Sequence, residues 1–517
     1  MLRKASDSIS VLVSVVGLSA CQSDRPAAAA MCADLSSLMF ADATVTLAAA
    51  VAPGAFSPPE GRADAFQNLP AFCRVALTLT PSAESNIKVE VWLPTEGWNG
   101  HYQPAGNGGW AGSINFGQMS NILADGYATS STDTGHEGFT SEFMLGSPEL
   151  LTDFSHRAFH GMIETSKAVI GEYYGSGPAL SVMNQAGGAG RQALLMAQRY
   201  PSDLDAIAVP GTLDLWKTQY HFAQIATYQT VHRSPESPIS AEKRALVHQA
   251  ALGACDSAVD GAEDGLIEDP RTCDFDPGVL LCQTSDAADC LTAAQVETAR
   301  AMYRPVVRPS TGDVITTRYL RGSELNWESA AETPASVNAL EFFKAAVFED
   351  RSWDPVTRPI NFESDFERAN RPEMIEALNA TEANLEAFMA RGGKILIVGG
   401  WADADTTWSG SVDYYEAVMA EMGESARDGI RLFMIPGMGH IMSPRGERGF
   451  NFDSLGVLLD WKETGAAPDQ VVVTRYEDGV ATGTRQVCAY PQVTVYQGAG
   501  DANDAANFAC AQPSPTP

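Results

Sequence analysis

A histidine and an aspartate stand just after two short apolar runs, in positions that suit acid–base chemistry. His440 closes the segment Pro436-Gly-Met-Gly-His440, and Asp403 closes Gly399-Gly-Trp-Ala-Asp403. An imidazole titrates near neutral pH, and a neighbouring carboxylate can fix its tautomer and orientation. We therefore expect His440 and Asp403 to act together as a base and its acidic partner.

The segments around these residues alternate between strand-like and helix-like patterns. The predicted strands are Ile87–Pro94, Ala179–Met183, Lys394–Val398 and Arg431–Ile435, and the predicted helices are Arg191–Arg199 and Ser411–Met422. A strand, a glycine-rich turn and a helix form the βα unit of a parallel sheet. An α/β-hydrolase presents nucleophile, acid and histidine in that chain order, with the last two on late strand-end loops. The order of Asp403 and His440 predicts this fold.

A long region between residues 212 and 384 breaks the alternation. It holds four cysteines, an acidic Asp-Gly loop and helical stretches such as Leu291–Tyr303. We interpret it as a large lid domain inserted into the core. The predicted division is 1–21 signal peptide with lipobox, 22–40 tether, 41–211 first part of the core, 212–384 lid with a calcium loop, and 385–517 second part of the core.

The first residues have the pattern of an export signal. Arg3 and Lys4 precede the apolar stretch Ile9–Leu18, which ends at Ser19-Ala-Cys21. The apolar stretch is too short to span a bilayer as a mature helix, and its ending resembles a bacterial lipobox. We expect lipidation of Cys21 and an exported, membrane-anchored lipoprotein facing the periplasm or the cell surface. A plain signal peptide cleaved elsewhere is the alternative.

The charge of the chain excludes two classes of partner. The formal net charge is -30, and the acidic residues are scattered along the sequence. Phosphate backbones and anionic bilayers attract concentrated Lys and Arg instead. We therefore expect no nucleic-acid partner, and membrane contact only through the lipid anchor.

The chain has nine cysteines, an odd number that needs an explanation in an exported protein. Lipidation of Cys21 leaves an even set for disulfides in an oxidising compartment. Neighbours in sequence give plausible pairs, although spacing alone does not fix the connectivity. These pairs are Cys32 with Cys73, Cys255 with Cys273, Cys282 with Cys290, and Cys488 with Cys510.

Motifs over nearly the whole chain resemble the tannase/feruloyl-esterase family. They are Ser131-Thr-Asp-Thr-Gly-His136, Asp153-Phe154 with Arg157-Ala158, Gly190-Arg-Gln-Ala-Leu194, Gln198-Arg-Tyr-Pro201, Gly400-Trp-Ala-Asp403, Asp413-Tyr-Tyr-Glu416 and Pro436-Gly-Met-Gly-His440. The resemblance implies a hydrolase of aromatic, phenolic carboxylic esters with no organic cofactor. It places the acid and base on Asp403 and His440, and its four disulfides outside the active site match the four pairs above.

The chain departs from the family at the nucleophile. The family turn reads Gly-Cys-Ser-x-Gly-Gly-Arg-Gln, whereas this chain has Gln185-Ala-Gly-Gly-Ala-Gly-Arg-Gln192. Serine is replaced by Gly187, and the two family cysteines that bond beside it are replaced by Ala186 and Ile441. No Gly-x-Ser-x-Gly occurs elsewhere in the chain. A glycine has no hydroxyl and forms no acyl-enzyme.

Three explanations of this departure stay open. The first is altered catalysis, since Asp403 and His440 persist, as do the residues matching the oxyanion hole, Gly108 and Gly188. A His–Asp pair beside two N–H donors can act as a base on water. The second is a non-catalytic pseudoenzyme that binds aromatic ligands. The third is a sequence altered at the nucleophile by engineering or error.

The lid carries a loop that resembles the calcium site of the family. It reads Cys255-Asp-Ser-Ala-Val-Asp260-Gly-Ala-Glu-Asp264-Gly-Leu266. Carboxylates and carbonyls in such a loop are the hard oxygens that Ca²⁺ prefers. The resemblance implies a structural ion held by side chains of Asp256, Asp260 and Asp264 and by the carbonyls of Ala262 and Leu266. The first two aspartates are one residue further apart than in the family, and a solvated acidic turn closed by a disulfide is the alternative.

Overall fold

The computed structural model describes residues 31–59, 63–327, 336–406, 408–445 and 448–513. The predicted signal peptide, Cys21 and the first part of the predicted tether lie outside these ranges. Within the described part of the tether, Cys32 and Leu35 are buried, and Cys32 is joined to Cys73 by a disulfide. This part of the tether therefore packs on the core and is not a free linker.

A mixed sheet forms the centre of the molecule. Its strands are β1 (Ala43–Val51), β2 (Phe72–Leu79), β3 (Ile87–Pro94), β4 (His101–Ala105), β6 (Ala128–Thr132), β8 (Leu180–Asn184), β9 (Ala206–Pro210), β12 (Lys394–Gly400) and β13 (Ile430–Ile435). Their order is β1-β2-β3-β6-β4-β8-β9-β12-β13. The pairs from β1 to β6 are antiparallel, and every later pair, from β6 with β4 to β12 with β13, is parallel.

Smaller sheets lie around this one. They pair β5 (Ala111–Gly112) with β7 (Gly138–Phe139), β10 (Val306–Val307) with β11 (Val314–Thr316), β14 (Arg448–Asn451) with β15 (Gln470–Glu477) and β16 (Val480–Cys488), and β17 (Val493–Tyr496) with β18 (Phe508–Ala511).

Helices connect and cover the strands. They are α1 (Phe116–Ala124), α2 (Pro148–Thr152), α3 (Ala158–Tyr174), α4 (Gly187–Arg199), α5 (Lys217–Val231), α6 (Ala241–Cys255), α7 (Ser257–Asp260), α8 (Ala293–Tyr303), α9 (Val337–Phe342), α10 (Ser364–Ala369), α11 (Pro372–Leu378), α12 (Glu386–Met389), α13 (Ser409–Met422) and α14 (Ser454–Thr464). Single π-turns occupy Asp153–Arg157 and Phe343–Val347.

The central sheet is buried on both faces because successive side chains of its strands point to opposite sides. In β12, Ile395 and Ile397 join the core under α3, α4 and α13, whereas Leu396 and Val398 join the core under α1 and α14. This explains why β12 reads in the sequence as one continuous apolar run, as the strands of parallel sheets do. The carboxyl ends of β8, β12 and β13 consequently lie at one edge and carry the loops of the site.

The region predicted as a lid contributes no strand to the central sheet between Pro210 and Lys394 among the residues described there. Two further apolar clusters fill it. One centres on Trp110, Phe222 and Phe342, and the other on Val247, Trp327 and Tyr319. Its division from the core as a separate domain stays a prediction.

The structure confirms the predicted strands of the sheet and the two predicted helices that pack on it, to within a few residues at their ends. It also contains the four predicted disulfides, Cys32–Cys73, Cys255–Cys273, Cys282–Cys290 and Cys488–Cys510. None of the helices in the described ranges is long and apolar enough to cross a membrane.

Candidate active site

The loops after β12 and β13 bring Asp403 and His440 together. His440 Nδ1 lies 3.2 Å from Asp403 Oδ2, and the Asp403 side chain is completely buried, whereas that of His440 is 21% exposed. The Nδ1 edge of the imidazole therefore faces a buried carboxylate, while part of the ring stays exposed. When the imidazole is neutral, this contact favours the tautomer with its proton on Nδ1, so that Nε2 can accept a proton.

Thr406 adds a link that the sequence analysis did not identify. Its hydroxyl donates to Asp403 Oδ2 at 2.6 Å and lies 3.2 Å from His440 Nδ1. The backbone N–H groups of Asp405 and Thr406 donate to Asp403 Oδ1 at 2.7 and 3.1 Å. Four donors thus hold the carboxylate in one orientation. Its proximity to Asp403 in the sequence was the only available signal for Thr406.

Charge separates the pKa values of the pair. Burial raises the pKa of Asp403, but the charge and hydrogen bond of His440, with the donors of Thr406 and Asp405, outweigh it and lower the pKa to about 2. Burial lowers the pKa of His440, but Asp403, assisted by Asp405 and Asp214, outweighs it and raises the pKa to about 9. The ground state at neutral pH is therefore an imidazolium–carboxylate pair.

Position 187 lies directly opposite His440. Gly187 begins α4 with φ of 59°, in the left-handed region that glycine adopts easily. A Cβ built on Gly187 lies 3.5 Å from His440 Nε2 and, apart from its chain neighbours and the first turn of α4, meets no other atom of the described residues within 4 Å. This is the strand–turn–helix geometry of a nucleophile elbow. The structure thus places Gly187 where a nucleophile would stand, within contact distance of the imidazole.

The predicted oxyanion residues also meet at this point. A Cβ built on Gly188 would lie 3.0 Å from Asn107 O and 3.3 Å from Gly108 Cα, so the elbow and the loop after β4 are in close contact. The backbone N–H groups of Gly108 and Gly188 have no hydrogen-bond partner among the residues that the structure describes. These two N–H groups lie beside the elbow and could donate to the negatively charged oxygen that develops during ester hydrolysis.

Two glutamines that the sequence analysis did not single out hold this loop. Gln185 Oε1 accepts from the N–H of Gly106 at 2.7 Å, and Gln192 Oε1 accepts from the N–H of Asn107 at 2.9 Å. Gln185 precedes the elbow and Gln192 lies on α4, so both bonds join the oxyanion loop to the nucleophile turn. The partners in these two hydrogen bonds are 79 and 85 residues apart in the sequence, so local sequence patterns do not reveal them.

Ala186 and Ile441, the positions that the resemblance aligns with a cysteine pair, both lie beside Gly211. A Cβ built on Gly211 would lie 2.8 Å from the Cβ of Ala186 and 3.4 Å from the Cα of Ile441. Gly211 and Ile441 form an antiparallel bridge, and the N–H of Thr212 donates to His440 O at 2.9 Å. Backbone bonds thus tie the histidine loop to the end of β9.

Aromatic and apolar side chains surround the centre. Trp110 follows the oxyanion loop and packs against Phe154 and Phe342, and its carbonyl accepts from His136 Nε2 at 2.9 Å. A groove of about 440 Å³ opens on another side of the same loop. Its lining includes Pro58, Phe66, Asn107, Gly108, Ile114 and Phe116. The Trp110 cluster is part of the buried core, whereas the groove is open and its apolar walls suit an aromatic ring.

The predicted calcium loop is closed around a guanidinium group. Oδ2 of Asp260 lies 2.5 Å from Arg485 Nη2, Oε2 of Glu268 lies 2.9 Å from the same atom, and Asp264 contacts Arg485 Nη1. The carboxylate of Asp256 accepts from the N–H groups of Asp264 and Gly265. The loop residues therefore converge, and Arg485, 1% exposed, is their main counter-charge.

The charge and the geometry of this loop point in different directions. Among the residues that the structure describes, the cations that lie against its four acidic side chains are Arg485 and Arg475, so this largely buried loop carries an excess of negative charge that suits a divalent cation. Within the described residues, however, no three His, Cys, Asp or Glu side chains are arranged to hold a metal ion. An ion at Asp260 and Asp264 would have to share their oxygens with Arg485. Calcium binding stays a prediction.

Comparison with known proteins agrees with this geometry. The pattern of the family described as tannase and feruloyl esterase matches residues 73–511. An "uncharacterized esterase" of Xanthomonas campestris pv. campestris is 34% identical over 93% of this chain and 91% of its own. The mono(2-hydroxyethyl) terephthalate hydrolase of Piscinibacter sakaiensis is 31% identical over 83% of this chain and 82% of its own.

A solved structure supports the same relationship. Feruloyl esterase B from Aspergillus oryzae superposes with a TM-score of 0.83 at 27% identity, covering 94% of this chain and 100% of that one. The likeness extends over the central sheet, the site loops and the inserted region together, so the fold is that of an α/β-hydrolase. The chain belongs to the tannase and feruloyl esterase family of hydrolases.

Proposed function

We propose that the chain hydrolyses small aromatic, phenolic carboxylic esters and that water, activated by His440 and Asp403, replaces the missing serine. The observation that carries the proposal is that the Cβ position of Gly187, which glycine leaves empty, lies 3.5 Å from His440 Nε2. A water molecule at that place takes the position of a serine oxygen. Both its polar neighbours, the imidazole and the N–H donors of the elbow, are in place.

The reaction needs the neutral imidazole. His440 Nε2 removes a proton from the water as its oxygen attacks the ester carbonyl carbon. Asp403, held by Thr406, stabilises the imidazolium that forms. The tetrahedral intermediate then collapses, the bond to the alcohol oxygen breaks, and the imidazolium returns the proton to the leaving alkoxide. The products are an aromatic acid and an alcohol, with no covalent enzyme intermediate.

The N–H groups of Gly108 and Gly188 would carry the charge of that intermediate. Each is free of other partners in the described structure, and the two residues are in contact. Removal of one such donor typically costs about 10²–10³ in kcat in serine hydrolases. In the absence of a serine nucleophile, we therefore assign the rate acceleration mainly to the oxyanion donors and to the His–Asp pair.

Relatives and surfaces together support the substrate class. Feruloyl esterase B of Aspergillus oryzae and the mono(2-hydroxyethyl) terephthalate hydrolase are named for esters that share an aromatic acid half. In this chain, the groove lined by Gly108 has apolar walls that include Phe66, Ile114 and Phe116.

A second candidate function is binding of aromatic ligands without turnover. It is favoured by the same residue, because Gly187 supplies no nucleophile. Turnover of phenolic esters by purified wild type and by His440→Ala separates the two candidates. Hydrolysis that is lost in His440→Ala supports the esterase proposal, and an unchanged rate in that variant rejects the role of the His–Asp pair. Absence of turnover in wild type favours the binding protein.

We further propose that the protein is exported and anchored through Cys21. The supporting observations are the basic, apolar and small residues of the first 21 positions, and the four disulfides of the folded part. Cys21→Ser should move the protein from the membrane fraction to the soluble fraction after export. A wild-type protein already fully soluble would contradict the anchor.

A further inference from the structure

A second cavity lies between the core and the inserted region, away from the catalytic centre. Its volume is about 470 Å³, and ligand pockets usually have volumes of about 300–1,000 Å³. Helix α4 connects the two places, because it begins at Gly187 and its last residue, Arg199, lines the cavity. With a rise of about 1.5 Å per residue, the two ends of α4 are about 18 Å apart. The cavity is therefore separate from the centre formed by Gly187 and His440.

A π-turn forms one wall of the cavity. It occupies Asp153–Arg157, between α2 and α3, and single π-turns within helices are frequent at functional sites. Ser155 and His156 belong to this turn, and both line the cavity. Nδ1 of His156 lies 2.9 Å from the hydroxyl of Tyr200, whereas its Nε2 has no hydrogen-bond partner among the residues that the structure describes. One ring nitrogen of His156 is thus available to a ligand.

The remaining walls are mainly apolar. Met144, Pro148 and Leu151 line the cavity from the core side, and Met374 and Ala377 line it from α11. Methionine side chains are flexible and fit irregular shapes. None of the described lining residues is Phe, Tyr or Trp, the side chains on which a planar ring stacks. These walls therefore suit an alkyl chain better than an aromatic ring.

The polar end of the cavity carries positive charge. Nη2 of Arg199 donates to the carbonyl of Glu376 at 2.6 Å, and Arg199 forms no ion pair with a carboxylate in the described part of the chain. The pKa of His156 is lowered to about 4, first by burial and then by nearby cations, of which Arg199 acts most strongly and Arg157 next. His156 is consequently neutral at pH 7, in surroundings whose positive charge disfavours its protonation.

Two glutamates line the side of the cavity formed by α11. Glu373 is paired with Nε of Arg371 at 2.7 Å. Glu376 contacts Arg199 through its carbonyl, and its side chain is exposed. The groups left for a ligand at the polar end are therefore the other N–H donors of Arg199 and Nε2 of His156. A guanidinium with free donors matches a carboxylate in both charge and geometry.

We propose that this cavity binds an alkyl carboxylate, with the carboxylate at Arg199 and His156 Nε2–H and the alkyl chain between Leu151 and Met374. In this arrangement the hydroxyl of Tyr200 donates to Nδ1 of His156, and the ring proton is on Nε2. The inference goes beyond ester hydrolysis and does not depend on it, since the ligand is held about 18 Å from Gly187. Because the ligand contacts both the core and α11, it stabilises the folded protein by binding.

Calorimetric titration with octanoate and with octanol, which has the same chain length and no charge, tests the proposal. At pH 7 octanoate should bind wild type at least about fivefold more tightly than octanol. Arg199→Gln should remove most of that preference, and Ala377→Phe, which fills part of the cavity, should weaken the binding of both probes. Arg233→Gln is the matched control, because Arg233 is also exposed and donates to a carbonyl, that of Ala294. It should retain the preference.

Equal affinity of wild type for octanoate and octanol, or an unchanged preference in Arg199→Gln, would overturn the inference. Octanoate binding that is lost in His440→Gln but kept in Arg199→Gln would place the ligand in the catalytic centre and would also overturn it. Thermal melting of each variant confirms that it is folded, and Ala377→Phe keeps the test decisive if Arg199→Gln does not fold. Octanoate should also raise the melting temperature of wild type, and by less in Arg199→Gln.

Discussion

Gly187 has a backbone conformation, with φ of 59°, that glycine reaches without strain. A serine in the same backbone conformation would be strained by roughly 1–3 kcal/mol. Space does not oppose the change, since the only neighbour of the added Cβ is His440 Nε2 at 3.5 Å. The loss of serine therefore removes a strained residue as well as a nucleophile.

Gly187→Ser should consequently lower the melting temperature slightly and give at best weak serine-type esterase activity. Addition of Cys at 186 and 441 should raise that activity, because the two positions meet at Gly211 and a disulfide would fix the turn against the histidine loop. Hydrolysis of a phenolic ester and labelling by a serine-directed phosphonate measure the effect. Failure of the triple variant to be labelled would show that the elbow does not have the expected geometry.

The raised pKa of His440 gives a pH dependence with a defined sign. Water activation uses the neutral imidazole, so the rate of hydrolysis should increase from pH 7 and level off above about 9. The protonated form is favoured by folding, because its pKa is about 6.5 in an unfolded chain. The stability advantage of wild type over His440→Gln should therefore be full below about pH 6.5 and disappear as the pH rises through about 9.

A pH–rate profile and unfolding free energies at several pH values test these two statements. A rate that is flat or decreases between pH 7 and 9 would contradict the role of His440 as base.

The oxyanion loop depends on hydrogen bonds from α4. Gln192 accepts from Asn107 N–H, and Gln192→Ala would leave that buried donor unpaired at a cost of about 1–3 kcal/mol. Because the loop presents Gly108, we expect kcat for ester hydrolysis to fall by about tenfold or more, with a smaller change in KM.

Gln198→Ala is the matched control on the same helix. Gln198 donates to Ala380 O and to the hydroxyl of Tyr414, away from the oxyanion loop. Its replacement should lower stability but leave kcat unchanged. Equal losses of kcat in the two variants would show that Gln192 acts only through the stability of α4.

Local sequence patterns were sufficient to predict the strands and helices, but not the contacts that form between them. β3 and β12 follow directly from alternation and from a continuous apolar run, and the loops carrying Asp403 and His440 follow from the ends of such runs. Gln185 and Gln192 were not predicted because their roles arise only when distant segments meet. Thr406 lies three residues after Asp403, but its role depends on the conformation of that loop, which the pattern does not reveal. The contact of Arg485 with the acidic loop likewise spans more than 200 residues.

The molecule as a whole is acidic, and part of this charge is buried in the loop that Arg485 closes. Burial raises the pKa of Asp256, Asp264 and Glu268, so these carboxylates lack full compensation. If a bound calcium ion supplies the missing positive charge, its removal by a chelator should lower the melting temperature. An ion present at 100 times its Kd adds about 2.7 kcal/mol to the free energy of unfolding.

Arg485→Gln should also destabilise the fold, because it leaves Asp260 and Asp264 without their direct counter-charge. Added calcium should restore part of that loss. A melting temperature that does not respond to chelation, together with no calcium in elemental analysis, would leave Arg485 and Arg475 as the cations of the loop.

The central claim is that a member of an esterase family hydrolyses esters without a covalent nucleophile. Intact-mass spectrometry of protein quenched during turnover of an aromatic ester tests it most directly, with wild type, His440→Ala and Gly187→Ser measured side by side. The account predicts that wild type turns over with no acyl adduct, that His440→Ala loses turnover, and that only Gly187→Ser gains the mass of an acyl group. An acyl adduct on wild type, or turnover that survives the loss of His440, would contradict it.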